Sequence, residues 1–211
     1  MKTTIARAAL LATLLTTGVA QAQGYETYRP KETLNIFNYE ISIPVGSFND
    51  KFINETSYRG FGFDARTMIR EGMSVGVGID YVRFQQTRSN ASVDTGTGGT
   101  LSGPLYRYAD QFAIKALFHG YLRQGPILPY LGVGLGGVWT YAYQQSADLA
   151  NSHNNFSFIL SPELGATFTA AKGGSSLGLN LAVRYNYTTS SFFKVNDASH
   201  FQIIMGIFAA Y

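Results

Sequence analysis

The sequence predicts an all-β fold, an eight-stranded antiparallel up-and-down β-barrel that crosses a membrane with its strands. Three observations carry this reading. Apolar and polar residues alternate at period two in eight separate stretches, the pattern of strands with one apolar face. Charged residues make up only 14% of the chain, against about 25% in an average soluble domain, while aromatics reach 14%, with 14 Tyr and 15 Phe. The connections alternate long and short, as they do in membrane barrels with long loops on one side and tight turns on the other.

The chain begins with Lys2 and Arg7 around a basic start, an apolar run over residues 8–20, and the small-x-small site Ala20-Gln21-Ala22. This reads as a cleaved secretory signal peptide over residues 1–22. Its apolar run falls short of the roughly 20 residues a helical span needs. Residues 23–33, with Pro30, read as a short periplasmic lead, and 34–211 as the barrel. Removing Lys2 and Arg7 from the 16 basic residues leaves 14 against 13 acidic ones. The near balance gives no footprint for nucleic acid. An exported chain without Cys has no disulfides to stabilise it.

The first strand, about 34–45, sets Phe37, Tyr39, Ile41, Ile43 and Val45 against Asn38, Glu40 and Ser42. After a polar loop over 46–56, the second, about 58–69, sets Phe61, Phe63, Ala65, Thr67 and Ile69 against Gly60, Gly62, Asp64 and Arg66. Arg70-Glu71-Gly72 is a tight turn. The third, about 73–86, alternates Val75, Val77, Ile79 and Tyr81 with Ser74, Gly76, Gly78 and Asp80, and residues 87–104 read as the longest loop. The fourth, about 105–119, opposes Tyr108, Phe112, Ile114, Ala116 and Phe118 to Arg107, Gln111 and Lys115. The turn Arg123-Gln124-Gly125-Pro126 leads to the fifth, about 129–143, with Leu131, Val133, Leu135, Trp139, Tyr141 and Tyr143 outward. A polar loop covers 144–154. The sixth, about 155–169, faces Phe156, Phe158, Leu160 and Leu164 away from Ser161, Glu163, Gly165 and Thr167; Pro162 inside it calls for a bulge. Ala171-Lys172-Gly173-Gly174 turns into the seventh, about 176–188, with Leu177, Leu179, Leu181, Val183, Tyr185 and Tyr187 opposite Asn180, Arg184 and Asn186. The eighth runs from about Phe201 to the end and pairs with the first to close the sheet.

Aromatic residues sort by height. Tyr108, Trp139, Tyr141, Phe158, Tyr185 and Tyr187, with neighbours such as Phe61 and Phe156, lie next to the long loops and read as the outer girdle. Phe37, Phe118, Tyr121, Tyr130, Phe168 and Tyr211 read as a thinner inner belt. Rings with a polar edge favour the headgroup level.

The chain ends on a row of alternate apolar residues closed by Tyr211, with Gly206 five positions before it. This ending resembles the C-terminal signal read by the barrel-assembly machinery. Together with Pro44-Val45-Gly46 and Tyr58-Arg59-Gly60-Phe61, it makes the chain similar to the small eight-stranded outer-membrane β-barrels, the OmpA transmembrane domain and OmpX among them. The resemblance implies a bacterial outer-membrane location, outer-membrane lipid and the assembly machinery as partners, and a monomer.

One parity gathers Glu40, Asp64, Arg66, Asp80, Lys115, Glu163 and Arg184 on the inner wall, with Arg107 at the outer mouth. Charges inside so narrow a barrel must be paired, because each unpaired one costs several kcal/mol, roughly. The expectation is a charge network that plugs the lumen in a protein of structural or passive role. The alternative is a narrow path for small solutes. Surface adhesion through the loops and a lipid-modifying enzyme rank below these: His119, His153 and His200 are scattered, and no His-x-Ser spacing occurs. No cofactor or metal site is expected.

Overall fold

The computed structural model describes residues 31–94, 100–122, 127–146, 149–169 and 176–211. The expected signal peptide, residues 23–30 of the lead, and the turns at 123–126 and 171–174 lie outside them. Within the described residues the eight strands are β1 (Thr33–Pro44), β2 (Ser57–Arg70), β3 (Met73–Asp94), β4 (Thr100–Tyr121), β5 (Ile127–Ser146), β6 (Leu149–Thr169), β7 (Ser176–Thr188) and β8 (His200–Ala210), with one short helix, α1 (Gly46–Lys51). Each strand pairs with its sequence neighbours, and β8 returns to β1 from Leu34↔Ala210 to Pro44↔His200, so the sheet is a closed barrel. Closure removes both sheet edges over the height that all eight strands share.

The period-two pattern decides which side chains face in. On β1, Leu34, Ile36, Asn38, Glu40 and Ser42 are buried, while Phe37 and Tyr39 are exposed. The outer wall is therefore apolar: Val77, Ile114, Leu131, Leu164, Leu179 and Ile207 are all exposed. A wall of this kind is stable only against lipid. Ile204 and Phe208 break the alternation of β8 because they are inward residues, buried in apolar clusters with Tyr130 and Leu34 respectively.

The structure changes four expectations. The loops expected at 87–104 and 144–154 are largely strand, since β3 and β4 reach Asp94 and Thr100 and β5 and β6 reach Ser146 and Leu149. Residues 87–89 and 150–154 are exposed on both parities, so neither face needs apolar side chains and the alternation that marks a strand vanishes there. The loop expected at 46–56 contains α1. Pro162 sits without a bulge: Leu160↔Tyr187 and Glu163↔Arg184 keep one register on either side of it, and its exposed ring points outward. Tyr130 and Tyr121 do not belong to the inner belt. Tyr130 is fully buried inside the barrel, with Tyr121 packed against it. Tyr130 shares the parity of Gly132 and Gly134, so period two sends it inward.

Strands β3 to β6 are 20–22 residues long, about twice the 9–11 residues that cross a bilayer. Pairing of β2 with β3 stops at Gly60↔Val82 and of β6 with β7 at Ile159↔Thr188. A four-stranded sheet, β3-β4-β5-β6, therefore stands above the barrel at its outer end.

Candidate functional site

The lumen is filled in tiers, and the middle tier holds the charges. Glu40, Asp64, Arg66, Asp80, Lys115, Glu163 and Arg184 come from six different strands and meet at one height, all at most 5% exposed. Arg184 is the hub. Its Nε donates to Glu163 Oε2 at 2.6 Å and its Nη1 to Asp80 Oδ1 at 3.0 Å. The same guanidinium lies 3.6 Å from Glu40 Oε1 and 3.6 Å from Asp64 Oδ2. Arg66 donates from Nη2 to Asp64 Oδ2 at 2.6 Å and to Glu163 Oε1 at 3.2 Å. Lys115 forms an ion pair with Asp80. Four carboxyl groups thus interleave with three fixed cations, and each charge in this low-dielectric interior has an opposite charge beside it.

Polar groups beyond the seven expected charges extend the lattice. The Tyr130 hydroxyl lies 2.6 Å from Glu163 Oε1 and 3.0 Å from Asn180 Oδ1, while Arg66 stacks over its ring at 5.1 Å. His119 Nε2 lies 3.8 Å from the same carboxylate oxygen. Gln202 Nε2 donates to Glu40 Oε2 at 2.8 Å, and Asn186 Nδ2 donates to Gln202 Oε1 at 2.6 Å. Parity alone places all of them inward. What single-sequence reading lacks is the height at which each strand enters the lumen.

The glycines on the inner wall make room for this lattice. A Cβ at Gly62 would come within 2.8 Å of both Asp80 Oδ1 and Glu40 Oε1, and one at Gly78 within 2.7 Å of Asp64 Oδ1. The carboxylates occupy the space that larger wall residues would fill.

Apolar tiers close the lattice at both ends. Below it, Leu34, Ile36, Met68, Leu128, Phe208 and Ala210 form one cluster. Above it, α1 and the segment before β8 fold into the mouth. Phe48, Phe52, Ile53, Phe84, Phe192 and Val195 are at most 3% exposed, with Phe48 edge-on to Phe84 at 5.0 Å and Phe52 edge-on to Phe192 at 5.2 Å. Polar contacts clasp the plug. Ser47 Oγ accepts from the Asn196 and Asp197 amides at 3.0 and 3.1 Å, and Arg107 Nη1 donates to the Phe52 carbonyl at 2.9 Å. Arg107 stands at the mouth and is tied to the plug rather than to the charge lattice.

The remaining expected residues lie elsewhere. Trp139, Phe158 and Tyr187 are exposed on the outer wall at the upper rim. Tyr108, Tyr141 and Tyr185 face the same way half-buried, Tyr108 against Tyr141 at 6.0 Å and Tyr185 against Phe201 at 4.8 Å. Gly206 is inward against Asn38, and the exposed Tyr211 accepts from Asn35 Nδ2 at 2.8 Å. Of the histidines, His200 is buried against Asn186 and Phe84, His119 is in the lattice, and His153 is exposed. Among the described residues no cluster of His, Cys, Asp and Glu is disposed to hold a metal ion.

No family model matches the chain, and no curated protein matches its sequence. Solved structures do match in fold. Ail, the attachment invasion locus protein of Yersinia pestis, superposes with a TM-score of 0.52 at 13% identity, covering 86% of this chain and 99% of that one. The same protein in complex with the heparin analogue sucrose octasulfate gives 0.52 at 14%, with the same coverage. Neisserial surface protein A gives 0.52 at 15%, covering 84% and 95%. At such identities the likeness is one of fold. The fold is that of the small outer-membrane β-barrels, and the apolar wall is the surface this fold turns to that membrane.

Proposed function

We propose that this protein is a monomeric outer-membrane barrel whose lumen does not conduct, with a structural role in the membrane and a platform above it. The observation that supports the sealed reading is the reach of Arg184, whose one guanidinium touches four carboxyl groups from four other strands. A hydrated pore at that height would have to part these pairs and swing the Arg184 guanidinium out of the lumen. The aromatic plug above and the apolar cluster below add two dry barriers. Planar-bilayer recording tests the proposal: the purified protein leaves the bilayer silent. Steady openings that change size when Glu40 or Arg184 is neutralised would replace it with the narrow-channel reading.

A second reading concerns the surface, and the sheet that β3 to β6 raise above the barrel favours it. The outer edge of β6 over residues 150–157 has no strand partner and carries no Asp, Glu, Lys, Arg or Pro, although such residues commonly guard exposed edges; Asn155 and His153 meet Ser191 and Phe193 of the segment before β8. An edge of this kind accepts an extended peptide by main-chain hydrogen bonding. Asn154→Pro removes one amide from that edge. If cells displaying the protein bind a host-matrix protein and the Pro variant binds it equally, the edge is not the contact.

A further inference from the structure

Arg59 belongs to the Tyr58-Arg59-Gly60-Phe61 stretch, and the sealed lumen makes no use of it. The structure gives it a setting of its own on the outer wall. Between Glu40 and Ser42 the pairing of β1 with β2 shifts by one residue, a β-bulge. The bulge turns Tyr58 and Arg59 outward together, although they are neighbours, while Ser57 and Gly60 stay buried. Bulges re-aim side chains in this way. Hydrogen bonds fix the arrangement: Tyr39 Oη donates to the Tyr58 carbonyl at 2.7 Å, and Ser57 Oγ donates to the Arg83 carbonyl at 2.6 Å while accepting from the Arg59 amide at 3.2 Å.

Two hollows of about 350 Å³ each meet at this point. The upper one, where β2 and β3 part above Val82, is polar and bordered by Glu55, Ser57, Tyr58 and Gln85. The lower one is apolar and bordered by Tyr39, Phe61 and Tyr81. Arg59 and Arg83 border both. The two cations differ. Arg83 is matched by Asp110, which it grips through Nε at 2.6 Å and Nη2 at 2.7 Å. Arg59 donates from Nη1 to the Gln85 amide oxygen at 2.8 Å, and this partner is uncharged.

We infer that this double hollow is a binding site for a lipid with an anionic phosphate headgroup, the phosphate on Arg59 and an acyl chain on the Tyr39, Phe61 and Tyr81 rings. The site lies at the level of the outer girdle, where headgroup meets chain, and its two halves have the two chemistries of a phospholipid in that order. A guanidinium fork suits a phosphate because it can donate two parallel charge-assisted bonds. Glu55 borders the polar half and opposes an anion from its side. The inference rests on the membrane placement of the barrel and not on whether its lumen conducts.

Native mass spectrometry of the detergent-solubilised protein tests it, with dilauroyl phosphatidic acid as probe and dilauroyl phosphatidylcholine as the comparison. The wild type binds the anionic probe about tenfold more tightly, the order expected for a charge-assisted pair at a partly shielded surface. Arg59→Gln abolishes the preference, Glu55→Gln increases it, and Arg70→Gln, an equal charge loss at the opposite end of β2, leaves it intact. Heat-modifiable gel migration confirms that each variant is folded. Equal binding of the two lipids, or an Arg59→Gln protein that keeps the preference, overturns the inference. So does inorganic phosphate that binds as well as the lipid, because the apolar half would then contribute nothing.

Discussion

Glu163 and Arg184 are cross-strand partners on β6 and β7, and the bond between them, from Nε to Oε2 at 2.6 Å, anchors the lattice in the lumen. From that anchor the rest of the Arg184 guanidinium reaches across the barrel to carboxyl groups on β1, β2 and β3. The pair is local, while its consequences span the lumen.

Replacing Arg184 with Met leaves four carboxyl groups facing two remaining fixed cations. Stability is expected to fall by ~3–5 kcal/mol, as when one partner of a buried pair is removed. Glu163→Gln is expected to cost less, because three carboxyl groups then face three fixed cations and its one amide oxygen still accepts from Arg184 Nε. Urea unfolding in lipid vesicles, followed through the fluorescence of Trp139, measures both. An Arg184→Met protein as stable as the wild type would show that the lattice is not what orders the lumen.

Gly62→Ala places a methyl group 2.8 Å from Asp80 Oδ1 and Glu40 Oε1 and 3.1 Å from the Ile79 carbonyl, whereas Gly120→Ala meets nothing within 4 Å. The first is expected to destabilise by ~1–3 kcal/mol, the usual range for overpacking, and the second to leave stability unchanged. The same unfolding assay ranks them.

The wall should resist charge according to depth. Leu135 is 48% exposed in the middle of β5, while Ile43 sits at the outer end of β1 beside Phe201. Leu135→Arg is expected to cost ~2–4 kcal/mol and Ile43→Arg ~0–1 kcal/mol, following the depth dependence of lipid-facing charges. Equal costs at both positions would argue against a bilayer around this wall.

Loosening the plug should expose α1. Phe48 is fully buried and touches Phe52, Phe84 and Phe192, so Phe48→Ala is expected to cost ~3–5 kcal/mol locally. Opening of the segment then becomes frequent, and trypsin is expected to cut after Lys51 much faster than in the wild type while the barrel stays folded on gels. Unchanged cleavage would mean that α1 is held by the Ser47 and Arg107 clasp alone.

Much of this architecture is legible along the chain. Alternation around Glu40, Asp64, Asp80, Lys115, Glu163 and Arg184 marks them as inward residues because period two is a property of each strand by itself. The same rule covers Tyr130 and His119, whose parity matches that of Gly132 and Lys115. The height of Tyr130 near a turn points to the inner aromatic belt, but parity outweighs height. The segment from Gly46 to Lys51 misleads in the other direction. It reads as a polar loop because Asn49, Asp50 and Lys51 dominate it, and only Phe48 and Phe52 on its other side find the mouth of the barrel.

The residue pattern carries the strand count, the inward parity and the apolar wall, since these follow from local periodicity and composition. It also marked β8 as the closing strand through its unbroken apolar row. Which charges meet emerges only on folding, as do the reach of Gln202 to Glu40 across 162 positions and the plug that Phe48, Phe52 and Phe192 share. Closure accounts for this. Contacts across the lumen depend on how far each strand is staggered against the next, and that stagger accumulates around the barrel until β8 meets β1. No stretch of the chain contains it, so no stretch of the chain reveals it.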